Sequence, residues 1–253
     1  MNIAVLVRMV PDLVEELVVD ASGASLDAAW LRLIISEFDD HALEQAVLLK
    51  ERQGGQVTVL APEASGIEDV LYTAAARGAD QIIKLTGSFE SANNHALARA
   101  AAATVAELRP DLVLTGVQAH DDLDGPVGPL LAELLGWPFV GYVSGITVGE
   151  GMVTVRKEHA GGLIAEMEVT LPALLGIQAA EKPPRYVAVS RIRQAMSTAK
   201  IVQRGAGDLD PRGGPVVAHM FRPQIAKRAE MLEGEVDDVA ARLIEVFKEG
   251  KVL

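Results

Sequence analysis

The chain has no cysteine among its 253 residues. That excludes disulfides, a thiolate nucleophile and thiolate ligation of an iron–sulfur cluster from its own side chains. Aromatic residues make up only 4%, while Ala, Val and Leu abound, the texture of an α/β core with tightly packed helices. Cations are in short supply: 23 Lys and Arg stand against 35 Asp and Glu, a formal charge of −12. Holding nucleic acid by its phosphates requires clustered Lys and Arg, so no nucleic-acid partner is expected. No apolar run is long enough to span a bilayer. The opening MNIAVLVRMVPD has neither the basic leader nor the long apolar core of a signal peptide. A cytoplasmic chain without membrane insertion is the expectation. Catalytic signatures are missing too. There is no GxSxG elbow, no GxxxxGK[ST] loop and no HExxH, and the five histidines, His41, His95, His120, His159 and His219, are scattered. No catalytic residue and no metal site is expected.

What is present is a regular alternation of apolar runs and helical patterns. Ile3 to Val10 reads as a buried strand ended by Pro11-Asp12, with a possible short hairpin around Gly23. The spacing predicts a helix over Asp39 to Gln53, with Asp39 as N-cap candidate and Gly54-Gly55 as its stop. Strand Gln56 to Ala61, helix Ile67 to Arg77, strand Gln81 to Leu85 and helix Asn93 to Leu108 follow. Strands separated by helices of this length imply right-handed βαβ units. The expected fold class is therefore α/β, a doubly wound and mostly parallel sheet of Rossmann-like, nucleotide-binding type. Ligands should then sit at the carboxyl ends of the strands, near the topological switch point. After Pro138 the rhythm changes to an antiparallel hairpin addition over Val140 to Val148, Met152 to Lys157 and Leu163 to Val169. Leu171 to Ile177 returns to a buried strand. Residues 200–225 look like an extended arm, and Glu235 to Lys248 forms an amphipathic helix whose apolar face suits a partner subunit or its own domain. The division expected is 1–190 for the nucleotide-binding domain and 191–253 for the arm and helix.

The stretch DLVLTGVQAHDDLDGPVGPLLAELLGWP at 111–138 organises the rest. A buried strand turns through Gly116, crosses an acidic loop with Asp121, Asp122, Asp124 and Gly125, and opens a helix at Pro126 that runs to about Leu135. Strand, glycine loop and helix N-terminus together can hold a phosphate, because unpaired backbone N–H groups and the helix dipole both favour an anion. An ordinary βα turn has the same outline, and the loop alone leaves both readings open. Three carboxylates are too few for a typical hard-cation site.

These segments in this order resemble the β subunit of the electron transfer flavoproteins over nearly the whole chain. The resemblance is carried by VLVRMVPD at 5–12, FDDHALEQAVLLKE at 38–51, RGAD at 77–80, residues 110–138, VTVRKEHAGG at 153–162, LPALLGI at 171–177, PPRY at 183–186 and the terminal VDDVAARLIEVFKEGKVL. It implies an electron-carrier subunit rather than an enzyme by itself, paired with an α subunit that carries the redox-active FAD. It implies an adenine nucleotide in this chain, AMP or a second FAD. That nucleotide would lie against Leu6 and Val7, Ser36 and Asp39, and Ala61 and Pro62. Gly116, Gln118, Asp121, Gly125, Pro126, Val127 and Gly128 would hold its phosphates. Leu13 and Phe38 would approach the partner's flavin. The run Val127-Gly128-Pro129 is similar to the nitrogen-fixation-associated and electron-bifurcating branch, in which the second FAD takes a hydride from NADH. A flavin dehydrogenase and a quinone oxidoreductase or other acceptor are the implied electron partners, with Glu181, Arg191 and Arg193 on the dehydrogenase side. Glu181 replaces the family's leucine, and the family's IDGD reads His120-Asp121-Asp122-Leu123 here. A different class, a stand-alone ATP- or AMP-binding regulatory module of the related hydrolase-like fold, is distinguished by the C-terminal arm, for which it has no use.

Overall fold

Each element follows from where its apolar residues must go. In chain order the computed structural model shows strands β1 (Asn2–Leu6), β2 (Met9–Pro11) and β3 (Leu33–Ile35), then helix α1 (Glu37–Gln53), β4 (Gln56–Pro62), α2 (Ile67–Arg77) and β5 (Gln81–Thr86). Next come α3 (Asn94–Leu108), β6 (Leu112–Gly116) and α4 (Val127–Leu135), followed by β7 (Phe139–Val148), β8 (Met152–His159), β9 (Leu163–Thr170) and β10 (Ala173–Ile177). The chain closes with α5 (Val189–Thr198), β11 (Ile201–Gly205) and α6 (Val236–Glu249). The structure describes residues 1–123, 125–223, 229 and 231–252. Asp124 of the acidic loop, residues 224–228 and 230 of the arm, and Leu253 of the terminal motif lie outside the described residues.

Among the described residues nine strands form one sheet in the order β11-β5-β4-β1-β6-β10-β7-β8-β9. The six strands from β11 to β10 and the β10–β7 pair run parallel, while β7, β8 and β9 are antiparallel. This is the α/β architecture expected, with the hairpin addition at one edge. Strand β1 is central and alternates as a pleat requires. Ile3 and Val5 join Leu43, Val47 and Leu71 of α1 and α2 on one face, and Ala4 and Leu6 join Leu97, Ala101 and Leu131 of α3 and α4 on the other. From β1 the chain winds out through β4 and β5, then crosses to β6 on the opposite side. The switch point is therefore the carboxyl end of β1, between β4 and β6.

Two segments differ from the sequence reading. The run expected as one strand to Val10 breaks after β1, because Arg8 gives its amide to the Asp39 carboxylate instead of to a neighbouring strand. Met9 to Pro11 then pairs antiparallel with β3. The hairpin around Gly23 is present as the bridge between Val19 and Leu26. Residues 189–205, part of the expected arm and the region before it, form α5 and β11, and β11 pairs with β5 from Ile201 opposite Ile82 to Gly205 opposite Thr86. Only Ala195 of α5 is buried, so this edge helix carries too little apolar periodicity to show in sequence. The chain divides into two compact units, Met1–Ala218 and His219–Leu253. Among the described residues no helix is long and apolar enough to cross a membrane.

Candidate functional site

At the switch point one carboxylate joins three segments. Asp39 lies in the first turn of α1, and its Oδ2 accepts the Arg8 amide at 3.0 Å while Oδ1 accepts the Gly116 amide at 2.7 Å. It is not the helix cap. Ser36 stands at the N-cap, without a side-chain capping bond, and Asp39 is fully buried. Burial pushes its carboxyl above the ordinary range, against the opposing pull of the Arg8 guanidinium and the two amides. Gly116 is required for this approach: a Cβ there would stand 2.5 Å from Asp39 Oδ1 and 2.8 Å from the Asp39 amide nitrogen.

Arg8, one residue beyond the sequence-derived pair Leu6 and Val7, carries the second connection. Its side chain is buried, with Nη1 2.7 Å from Asp122 Oδ1 and 3.3 Å from Asn94 Oδ1. Nε lies 3.5 Å from Asp39 Oδ2. Desolvation opposes its charge, but Asp39 and Asp122 outweigh that and raise its pKa. Asn94, the first residue of α3, donates to Asp122 Oδ1 at 2.7 Å and to the Gly125 carbonyl at 2.6 Å. Asp122 also receives the Ala119 amide at 2.5 Å. The acidic loop is thus anchored to β1 and α3 by a polar network. Sequence reasoning missed both Arg8 and Asn94. The available signal was a lone cation inside the apolar run VLVRMV, which a buried strand tolerates only with a counter-ion.

Beyond the network α4 begins. Pro126, expected to open the helix, occupies its N-cap position instead, so the helix starts one residue later at Val127, and no side chain caps the first-turn amides. Gly125 has φ +87°, a left-handed backbone that suits glycine. A Cβ on Gly128 would fall 2.9 Å from Thr115 Oγ1 and 3.0 Å from the Phe139 ring. Thr115 Oγ1 itself is buried without a hydrogen-bond partner, as are Nε and Nη2 of Arg8. Uncapped amides, close backbone approach and unspent buried donors are the features an anionic oxygen ligand satisfies.

The remaining expected residues divide clearly. Leu6, Val7, Ser36, Ala61, Pro62, Val127 and Gly128 are buried, and Gly125 and Pro126 are half-buried at the loop's end. Gln118 and Asp121 are exposed, and burial of the Asp121 carboxyl group itself raises its pKa despite Arg8. Phe38 is half-buried beside Gly116. Leu13 is exposed, and His120 reaches the Pro11 carbonyl at 2.8 Å. Glu181 is held to α1, by Gln45 Nε2 at 3.0 Å and Arg52 Nη1 at 2.8 Å. Arg191 and Arg193 are exposed on α5.

Comparison with known proteins places this geometry in context. Residues 29–208 match the family model described as the electron transfer flavoprotein domain. The electron transfer flavoprotein subunit beta of Clostridium acetobutylicum is 32% identical, over 98% of each chain. That of Methylophilus methylotrophus is 28% identical over 99% of each. Protein FixA of Azorhizobium caulinodans is 29% identical over 98% of this chain and 94% of its own. These identities span a narrow range, so they establish the family and do not separate its branches.

Proposed function

This chain belongs to the electron transfer flavoprotein β-subunit family, and on that premise we propose that it binds an adenine nucleotide at the carboxyl end of β1 and works paired with a flavin-bearing α subunit. The observation that carries the reading is the close backbone approach at Gly116 and Gly128, with Gly125 at φ +87° between them, beside the uncapped amides at the start of α4. On this reading Leu6, Val7, Ala61 and Pro62 give the apolar wall for the adenosine, with Ser36 and Asp39 at its rim. Gln118, Asp121, Gly125, Val127 and Gly128 hold the phosphates by backbone N–H groups, while Gly116, its own amide given to Asp39, allows the close approach and Pro126 directs the chain into α4. Asp39 fixes the separation of β1 and β6, and so the width of the crevice. The nucleotide is AMP or a second FAD. AMP is structural, whereas FAD would supply electron-pair chemistry at its ring.

Leu13 and Phe38 present apolar surface that orients the α subunit's flavin and excludes water from it, and neither can exchange a proton. The exposed apolar face of α6, with Leu243, Val246 and Phe247, favours a two-chain assembly over a stand-alone nucleotide sensor. Electrons would arrive from a flavin dehydrogenase and leave to a quinone oxidoreductase or another acceptor. Arg191 and Arg193 remain free to face the dehydrogenase, while Glu181 is already engaged by Arg52 and Gln45. Acid release of the nucleotide from protein co-expressed with its neighbouring gene products, followed by chromatographic identification, tests the reading. One adenine nucleotide per chain, besides any FAD of the larger partner, is expected. A chain that purifies alone, colourless and free of nucleotide overturns it.

A further inference from the structure

We propose that Arg8 is a phosphate ligand of this site, a side-chain cation that reads the charged part of the nucleotide. The inference rests on the nucleotide reading above and adds to it a residue outside the backbone cradle. A guanidinium has five N–H donors in a fixed fork. In Arg8 Nη1 is spent on Asp122 and Asn94 and Nε faces Asp39 Oδ2 at 3.5 Å without a hydrogen bond, while Nη2 is buried with no hydrogen-bond partner. The residue is 6% exposed, so these donors have no access to bulk water. Leaving buried donors of a cation unmade costs free energy that an anionic oxygen would recover as a charge-assisted bond.

Position supports the same partner. Arg8 directly follows the strand at the switch point, and its contacts reach α1, the start of α3 and the acidic loop. It therefore stands where those segments converge, beside the loop whose backbone forms the cradle. Charge makes the assignment stricter. Asp39 and Asp122 both face the guanidinium, and Asp121 adds a third carboxylate nearby. One cation shared among three carboxylates leaves the cluster net negative, so a phosphate is not drawn in by net charge. It is admitted by directed donors, and Arg8 is the strongest of these. Asp122 and Asn94 act as positioning residues, holding Nη1 so that Nη2 keeps a fixed direction.

The test compares AMP with adenosine, which shares the base and ribose but has no phosphate. The full-length chain and its Arg8→Gln and Arg8→Lys variants are stripped of nucleotide and titrated with each by calorimetry. The expected result is about a 100-fold loss of AMP affinity in Arg8→Gln, with adenosine affinity unchanged. Arg8→Lys should fall between the two, because an ammonium keeps the charge but not the fork. Equal losses for AMP and adenosine would make Arg8 a purely structural residue, and unchanged AMP binding would leave buried water as its partner. Either result overturns the proposal while the nucleotide reading stands. If the unaltered chain binds neither compound, the nucleotide reading itself falls and takes this role of Arg8 with it. Should Arg8→Gln not fold, the AMP-to-adenosine ratio in Arg8→Lys decides, and a ratio equal to that of the unaltered chain refutes the assignment.

Discussion

Helices α1 and α6 teach opposite lessons about what buries a helix. In α1 nine residues are buried, among them Asp39, Glu44 and Gln45. Polar groups enter because each has a partner: Arg185 Nε lies 2.8 Å from Glu44 Oε1, and Gln45 exchanges two 3.0 Å bonds with Glu181. In α6 the pattern is far cleaner, with Val236, Val239, Leu243 and Val246 at helical spacing, yet none of its residues is buried. Apolar periodicity therefore marks surface that requires cover, and burial of α1 is governed by satisfied hydrogen bonds as much as by hydrophobicity.

The largest effect that would sharpen this contrast comes from Arg185→Ala. It strands the buried Glu44 carboxylate without its counter-ion, and a loss of about 3 kcal/mol in urea unfolding is expected. A change under about 0.5 kcal/mol would mean that the polar contacts of α1 are incidental. Gly116→Ala comes next. The added methyl cannot coexist with Asp39 Oδ1, so α1 must shift from β6 at a cost of about 2 kcal/mol. Nucleotide content should fall in the same preparation.

The opposite result is expected of α6. Leu243→Asp should leave the unfolding of the Met1–Ala218 unit within about 0.5 kcal/mol of the unaltered chain. Capture of the α subunit in a pull-down should drop about 10-fold, since a charge replaces an apolar contact. Undiminished capture would remove α6 from the interface.

The smallest effect concerns Asp121. Burial raises its carboxyl pKa, so its proton is taken up at a higher pH than usual. A neutral carboxyl repels a phosphate less than an ionised one. Nucleotide affinity should therefore strengthen as pH falls through that raised value and weaken above it, by about 3-fold. Asp121→Asn removes this part of the dependence. Comparing the two proteins on the same nucleotide cancels the ligand's own titration, and identical pH curves would exclude Asp121 from the phosphate's surroundings.

How much of this was legible in the residues depends on whether a feature is local. The βαβ alternation, the bounds of α2 and the change to antiparallel strands after Pro138 all follow from short-range pattern, and the structure has them. Gly116 was legible as a turn, but its reason was not, because Asp39 lies 77 residues away in sequence. The same limit hid the Arg8–Asp122 pair, separated by 114 residues. Asp39 was misread as a cap since an acidic residue at a helix start has that role by default. Helix α5 and strand β11 escaped because an edge helix with one buried residue and a half-buried edge strand carry little contrast between faces.

The double acceptance by Asp39 sets when the crevice can open. The amide of Arg8, just past the end of β1, and that of Gly116, at the end of the adjacent β6, both end on one carboxylate inside the core. Neither amide can meet solvent deuterium unless α1 leaves the sheet, so both should exchange only with global unfolding, on the slow clock of β1 and β6. The crevice wall would then be as long-lived as the domain.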